Sequence, residues 1–554
     1  MSLEIHYVDV PAGVDDGTAV TATGQNTISN PDAIQTGIDN AYATLELGVW
    51  RLDGSLDIMP DEPVAALWSD QRSDNDGVLA TPLKVEMVFA APLTATGITL
   101  TFSPGTNQWC SEMSAKWYNG QTLLTAGKYY PTGTSWVLEN TVEGFDRVAL
   151  EFTRTNTPGH FAKVQKIEIG QRIVFDATEV SKVTLLNEID PTLCELTADT
   201  MSATIVNRHG RKLIPQENQQ MQLYRDGNMI ASQFIKNSTR RSGNVYEISC
   251  QSAIGILEDT FLGGLYYGKS LRDLVGEILP GWPVEIHKSF ASATVSGYIP
   301  VCSQRSALQQ VAFAVGAVVK TNKSTGIRLE PVPESVSGSF GANHIFTGAS
   351  LKTSPRIAVV EVTSHSYSPG EEESTLIREA EVHGEDVLYT FSKPYHSYQI
   401  TGGAITSYGD NWVRITADGI VTLTAMGYVH TTAVRSKVNP RATVRERSNR
   451  ITVENATLVH DGNVDDVLRR LYAASQYRQL LKQDVVMSGQ NVGDMVASIS
   501  PWDTRVTGYM SAVKSTYTQT GHTASIEILG VEKETVSVYL HSGELRSGDT
   551  EVLY

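Results

Sequence analysis

The stretch Gly263 to Ser270 reads GGLYYGKS and fits the phosphate-loop pattern G-x-x-x-x-G-K-S/T ahead of a helical period. Such a loop works when a buried parallel strand delivers a glycine-rich turn to a helix N-terminus. Backbone N–H groups there cradle phosphates while the lysine neutralises them. The surrounding residues argue against that chemistry. Glu258 and Asp259 interrupt the approach, and Tyr266 and Tyr267 stand where small residues would let the backbone come close. Glu361, the acid that ends the apolar run 357–360, is separated from the loop by chain that does not alternate strand and helix. The expectation is a strand-to-helix bend, with Lys269 solvated at the helix start.

Two further groups could do chemistry. Asp70, Asp74 and Asp76 offer carboxylates for a calcium ion, although such clusters are more often solvated loops. Trp109, Trp117, Tyr118 and Trp136 offer ring faces for stacking on a sugar, against the alternative of core and cross-strand packing. The four cysteines, Cys110, Cys194, Cys250 and Cys302, form no C-x-x-C pair and have no histidine at ligand spacing. They are expected to be free, buried and reduced. H-E-x-x-H, G-x-S-x-G and a complete EF-hand loop are missing from the sequence, and no histidine pairs with another at i+2, i+3 or i+4. No catalytic group, cofactor or metal is therefore expected, and the chain does not read as an enzyme.

Charge is more informative. Residues 371–386 carry seven acids and one arginine, beginning with Glu371, Glu372 and Glu373. Residues 435–450 carry six basic residues and one glutamate, among them Arg435, Lys437, Arg441, Arg445 and Arg447. Each run is either a solvated edge or half of a complementary contact across a subunit interface, where opposite charge would set register and partner choice.

Short runs rich in Val, Ile, Thr and Tyr, separated by Gly, Asn, Asp and Ser, must carry these groups, which is strand and turn chemistry. Helical periods occur in three places: residues 269–279, with Leu271, Leu274, Val275 and Ile278 on one face; 306–320, with Leu308, Val311, Ala312 and Val315; and 463–482, with Val464, Val467, Leu468 and Leu471. At 554 residues and about 150 per domain, three or four domains are expected. Lys plus Arg at 44 against Asp plus Glu at 61 gives 44 − 61 = −17, which argues against a protein built to grip nucleic acid. The start lacks the basic and apolar regions of a secretory signal, and the longest strongly apolar run, 311–319, is short of the ~20 residues of a membrane span.

The fold expected is mainly β with α+β modules: a β-sandwich followed by two β-barrels alternating with two small α+β domains. The boundaries drawn are an extended N-terminal arm over 1–45, a sandwich over 46–172, a first barrel over 173–265, an α+β domain over 266–345, a second barrel over 346–450, an α+β domain over 451–538 and a tail over 539–554. The β, α+β, β, α+β order suggests a duplication of architecture without an aligned sequence repeat.

Several segments carry a family resemblance. WRLDGS at 50–55, ALWSDQRSDNDGVLATPLKVEMVF at 66–89, GITLTFSP at 97–104 and AKWYNGQTLL at 115–124, with the run 155–175, resemble the galactose-binding-like sandwich of baseplate proteins of phages and prophages of Gram-positive bacteria. The segments 181–207, 222–235, 246–259 and 298–332, with NVGDMV at 491–496, VTGYMSAVK at 506–514 and IEILG at 526–530, resemble tail hub proteins. The resemblance implies a non-enzymatic homotrimer whose two barrels per chain make a pseudo-six-fold ring. That ring would join a tail tube or distal tail ring above to a spike or tip below, with the sandwich at the periphery and other baseplate proteins around it. It also implies a place in the virion, assembly in the bacterial cytoplasm, and passage of DNA through the lumen without specific binding. The particle would be a phage or a tail-like bacteriocin. The rival is a receptor- or carbohydrate-binding adhesin acting through the sandwich.

Overall fold

Burial alternates residue by residue along Leu3–Asp9, with Leu3, Ile5, Tyr7 and Asp9 inside and Glu4, His6 and Val8 half-exposed, as a strand of period two requires. This computed structural model of the chain describes residues 3–11, 13–14, 18–31, 34, 46, 66–103, 106–321, 323, 326–346, 348–487, 489–499, 505–518 and 521–533. The WRLDGS segment at 50–55 and the tail 539–554 lie outside the described residues. The protein is mainly β, with three α-helices among the described residues, and divides into two compact units.

The first unit comprises residues 1–181 and 203–250. In its sandwich region the strand order is Ala19–Thr23, Val78–Thr101, Ser135–Thr155, Cys110–Asn119, Thr122–Tyr129, and Lys166–Ile169 pairs with the end of Val78–Thr101. Val78–Thr101 slips register between Val88 and Leu93 and again near Ala95. Such bulges bend a strand, and residues from both halves, Val85 and Met87 as well as Ile98 and Leu100, line one core. Aromatic side chains fill it, with Phe89 on Phe145 at 5.8 Å and Phe102 on Phe152 at 6.1 Å, both edge to face.

Leu3–Asp9 sits inside a second sheet, antiparallel to Gln171–Phe175 on one side and Gln220–Arg225 on the other. Residues 3–9 and 19–23 are thus sheet members where an extended arm was expected, because the short alternation of Leu3, Ile5 and Tyr7 outweighs the polar composition around it. Asp9 is fully buried and accepts hydrogen bonds from the Tyr7 hydroxyl at 3.0 Å, Gln219 Nε2 at 2.9 Å, the Thr96 backbone N–H at 3.2 Å and the Thr96 hydroxyl. Desolvation pushes its carboxyl above the ordinary range, against the opposing pull of these donors.

In the second unit, residues 182–202 and 251–554, helix α1 (Leu271–Ile278) buries the expected face, Leu271, Leu274, Val275 and Ile278. Helix α2 (Gln304–Val315) starts where the Ser303 hydroxyl accepts the Ser306 N–H and ends on Gly316 at φ +79°. It therefore stops short of the expected 320, and Ala317–Thr321 is a strand paired with Ile327–Pro331. Helix α3 (Val464–Ala474) buries Val464, Val467, Leu468 and Leu471 but does not continue to 482. From Gln479 the inward residues are Gln479, Leu481, Gln483 and Val485, a period of two, and this segment pairs antiparallel with Gly521–Lys533. Arg470 of α3 donates to the carbonyls of Phe313 at 2.8 Å and Ala314 at 3.2 Å, satisfying the end of α2. A Cβ on Gly316 would come within 2.6 Å of that guanidinium, so packing as well as φ demands glycine there.

The sheet that ends the described chain has the order Lys182–Glu188, Arg505–Thr518, Gly521–Lys533, Gln479–Val485, Ser350–Thr353. Between residues 359 and 438 the short strands expected from sequence merge into two long arms, Val359–Thr390 and Trp412–Val438. They are antiparallel from the Val359–Val438 pair to the Thr390–Trp412 pair. Among the described residues, strand pairing closes no sheet on itself.

Candidate assembly surfaces

The base of the two-armed ribbon is held by apolar packing. Val360 and Val362 of the outgoing arm share a core with Val464, Val467, Leu468 and Leu471 of α3, and Arg450–Val453 pairs parallel to Val359–Val362. The outer edge of the return arm is covered by Ala404–Tyr408 and Tyr395–Thr401 only as far as Gly427. Beyond it, Val429–Val438 pairs with the outgoing arm alone among the described residues, and all ten of its residues are exposed. Val429, Val434 and Val438 are 52%, 66% and 64% exposed. A long, apolar, unpaired edge is a template for another strand, and charge is one device that restrains unwanted pairing.

Arg435 and Lys437 lie on that edge, and the Lys437 ammonium sits 4.5 Å from the Tyr472 ring centroid. Arg441, Arg445 and Arg447 follow, exposed and without an ion pair among the described residues, whereas Arg450 is held by Glu361 at 3.2 Å. Glu446 turns inward on its own loop, accepting from the N–H groups of Thr443 and Arg356, and these bonds hold its carboxyl down at about 2. Glu371 and Glu372 fall in the register slip between Pro369 and Glu373, and all three glutamates are exposed.

The acidic run lies on the outgoing arm. The basic run begins on the return arm with Arg435 and Lys437, and Arg441, Arg445 and Arg447 follow beyond the end of that arm. The two are offset, since Glu373 stands opposite Met426 and Arg435 opposite Val362. The nine steps from Met426 to Arg435 span about 30 Å at a strand's rise. Among the described residues no ion pair joins the runs, so each presents its charge outward.

The sugar candidates do not form one face. Trp117 is 1% exposed and packs edge to face on Tyr129, which removes it as a sugar contact because its ring is spent in the core. The Tyr118 ring is covered by the Arg147 guanidinium at 4.1 Å. Trp109 is half-buried and donates from Nε1 to the Pro131 carbonyl at 3.1 Å, and half-buried Trp136 leans on Tyr129 at 6.4 Å.

Asp70, Asp74 and Asp76 do not converge. Asp74 Oδ1 instead accepts the N–H groups of Asp76 at 2.9 Å and Val78 at 2.8 Å, closing its own turn. No group of three or more His, Cys, Asp or Glu among the described residues is placed to hold a metal ion. Sequence reasoning missed the buried pair Lys163–Glu46 at 2.5 Å, where Gln108 accepts from the same ammonium at 3.0 Å and Trp68 lies 4.6 Å away. With 117 positions between the partners, no local signal points to it.

Gly264–Ser270, inside the phosphate-loop pattern, is a strand antiparallel to Thr294–Ile299 with a bulge between Tyr266 and Lys269. A Cβ on Gly263, at φ +66°, would lie 2.2 Å from the Ile299 carbonyl, so close packing of two chain segments accounts for this glycine. Half-exposed Lys269 pairs with Glu277 of α1 at 2.7 Å. Ser270 stands at the α1 N-cap without a side-chain capping bond. The four cysteines are free; Cys110 and Cys250 are buried as expected, whereas Cys302 is half-buried and Cys194 is exposed because it belongs to the turn organised by the Asp190 carboxylate. No helix among the described residues is long and apolar enough to cross a membrane.

No family model matches the chain, and no curated protein matches it. Among solved structures, a 43 kDa tail protein of prophage MuSo2 from Shewanella oneidensis is similar at 9% identity and a TM-score of 0.41, covering 65% of this chain and 94% of that one. Prophage tail protein gp18 from Listeria monocytogenes is similar at 12% identity and a TM-score of 0.39, covering 66% of this chain and 93% of that one. A family 32 carbohydrate-binding module from C. perfringens NanJ is similar over 30% of this chain and 98% of its own, at 11% identity and a TM-score of 0.19.

Proposed function

We propose that this chain is a structural, non-enzymatic tail protein: a homotrimeric baseplate hub whose copies form a pseudo-six-fold ring between a tail tube and a spike or tip. The observation that carries the reading is the ribbon, with a ten-residue exposed edge and two unlike charge runs, the acidic one on the outgoing arm and the basic one starting on the return arm about 30 Å from the residue opposite Glu373. In a cyclic assembly a heterologous contact between unlike patches repeats at every interface, so modest pair energies add around the ring. The basic run, Arg435, Lys437, Arg441, Arg445 and Arg447, would meet the acidic run, Glu371, Glu372 and Glu373, of the next copy. Three copies carry 3 × −17 = −51, and an acid-lined lumen would let DNA pass without gripping it. The particle would be a phage virion or a tail-like bacteriocin assembled in the host cytoplasm.

Reversing Arg441, Arg445 and Arg447 to glutamate should weaken trimers in sedimentation, more strongly at low salt, where like patches are least screened. Unchanged trimers at low salt would remove the basic run from the interface. A symmetry-resolved image of the particle with this chain off the axis would overturn the hub role itself. The adhesin reading draws no support from the ring candidates, since Trp117 is buried and Tyr118 is covered by Arg147.

A further inference from the structure

Asp410 lies between two strands of the ribbon sheet, Ala404–Tyr408 and the return arm, and tyrosines from four different strands surround it. Its Oδ2 accepts the Leu265 N–H at 2.7 Å, while Oδ1 has only a long contact, 3.4 Å, from the Tyr428 hydroxyl. Its backbone carbonyl accepts the Tyr398 hydroxyl at 3.1 Å. The half-exposed carboxylate has no ion-pair partner among the described residues. Its charge acts on Tyr266, Tyr267, Tyr298, Tyr398 and Tyr428, whose phenols are raised first by burial and, in addition, by Asp410. For Tyr428 the result is a value near 12, so the hydroxyls stay protonated at any physiological pH. Tyr267 is 67% exposed, which leaves the cluster open to solvent on its side.

A carboxylate oxygen with spare acceptor capacity, set among phenol side chains, selects for a cation and against an anion. A guanidinium suits it better than an ammonium, because a planar, weakly hydrated group stacks on a ring while donating at its edge. We propose that Asp410, with Tyr266, Tyr267 and Tyr428, forms a receptor for a guanidinium side chain, and that this side chain is an arginine of a second copy of the chain. The second half rests on the self-assembly proposed above. Its source is the basic run, where Arg441, Arg445 and Arg447 are exposed and unpaired among the described residues while the chain as a whole carries −17. Like-charged copies need such a local contact of opposite sign to associate in one register.

The test uses agmatine, a small guanidinium compound, titrated into the full-length chain and followed by tyrosine fluorescence. Saturable binding should weaken about tenfold in Asp410→Asn, which keeps the acceptor for Leu265, and also in Tyr267→Ala, which alters an exposed ring. Equal binding in wild type and both variants, or no binding at all, would overturn the receptor. Sedimentation provides the second arm. Agmatine and Asp410→Asn should each dissociate oligomers, and reversing Arg441, Arg445 and Arg447 should do the same while leaving agmatine binding intact. Agmatine binding with oligomers indifferent to the arginine reversal would overturn the second copy as the source. A chain that binds agmatine but never self-associates would overturn the homotrimer and leave the receptor standing.

Discussion

The sandwich region and the ribbon are both built on a pair of long antiparallel strands, yet the two pairs treat their side chains differently. Val78–Thr101 and Ser135–Thr155 turn at bulges so that one core covers the inward residues of both halves. Val359–Thr390 and Trp412–Val438 also carry bulges and share a core around Val413, Ile415, Val421 and Leu423, but the last ten residues of the return arm are exposed on both faces. Strand length and β-propensity are therefore not what separates a covered strand pair from an exposed edge. What matters is whether anything lies over the strand once it is paired.

Truncating one apolar side chain in each region should affect stability very differently. Phe152, fully buried in the sandwich core, should cost about 3 to 5 kcal/mol as Phe152→Ala in urea denaturation, whereas Val434→Ala should cost less than about 0.5 kcal/mol. Equal costs would mean that the ribbon edge is covered within a single chain. At the ribbon base, Arg470→Met should remove the donors to the end of α2 and cost about 1.5 to 3 kcal/mol, since burial makes this guanidinium hard to replace with water. A melting temperature equal to wild type would show that the helix end is satisfied without it.

Asp9 in the first unit and His365 in the second should respond to pH in opposite senses. Burial raises Asp9 above its ordinary value of 3.8, so the folded state holds that proton more tightly than the unfolded chain does. Its contribution is greatest below 3.8 and falls as pH rises to the folded value, and Asp9→Asn should cancel this limb. His365 is depressed from 6.5, first by burial and then by neighbouring His430, whose Nε2 lies 2.9 Å from its Nδ1. Its contribution is full above 6.5 and is lost as pH falls toward the folded value, and His365→Asn should cancel that loss. Thermal melts of the three proteins across acidic and neutral pH check both signs. The smallest effect is expected at the phosphate-like motif. Lys269→Ala removes one exposed pair with Glu277 and should leave melting within experimental scatter and ATP binding undetectable before and after, by calorimetry.

Local pattern was enough for several elements and misleading for others. The stripe Leu271, Leu274, Val275 and Ile278 reads as a helix and is one, because its period alone places four apolar side chains on one face. The stripe of α3 is equally sound up to Leu471, but Leu480 and Leu481 continue an apolar rhythm that fits either period. Pairing with Gly521–Lys533 settles that ambiguity in favour of a strand. Of the residues proposed for assembly, Glu371 to Glu373 and the arginines were legible as blocks of like charge. Their offset on opposite arms was not, since it depends on a register with bulges at four places. Asp410 carried no signal, because the tyrosines around it come from strands scattered over more than 150 positions.

Residue types and their spacing were sufficient for the class of the fold, the acidic balance and the apolar faces of α1 and α3, all of which follow from neighbours in the chain. Contacts between distant segments decided the rest: Leu3–Asp9 as an interior strand, Glu46 against Lys163, Thr96 on Asp9, and which edge of the ribbon stays bare. The physical reason is that a buried charge or an unpaired strand edge is costly or tolerable according to what packs over it. That covering group sits dozens to hundreds of residues away, where no periodicity reaches.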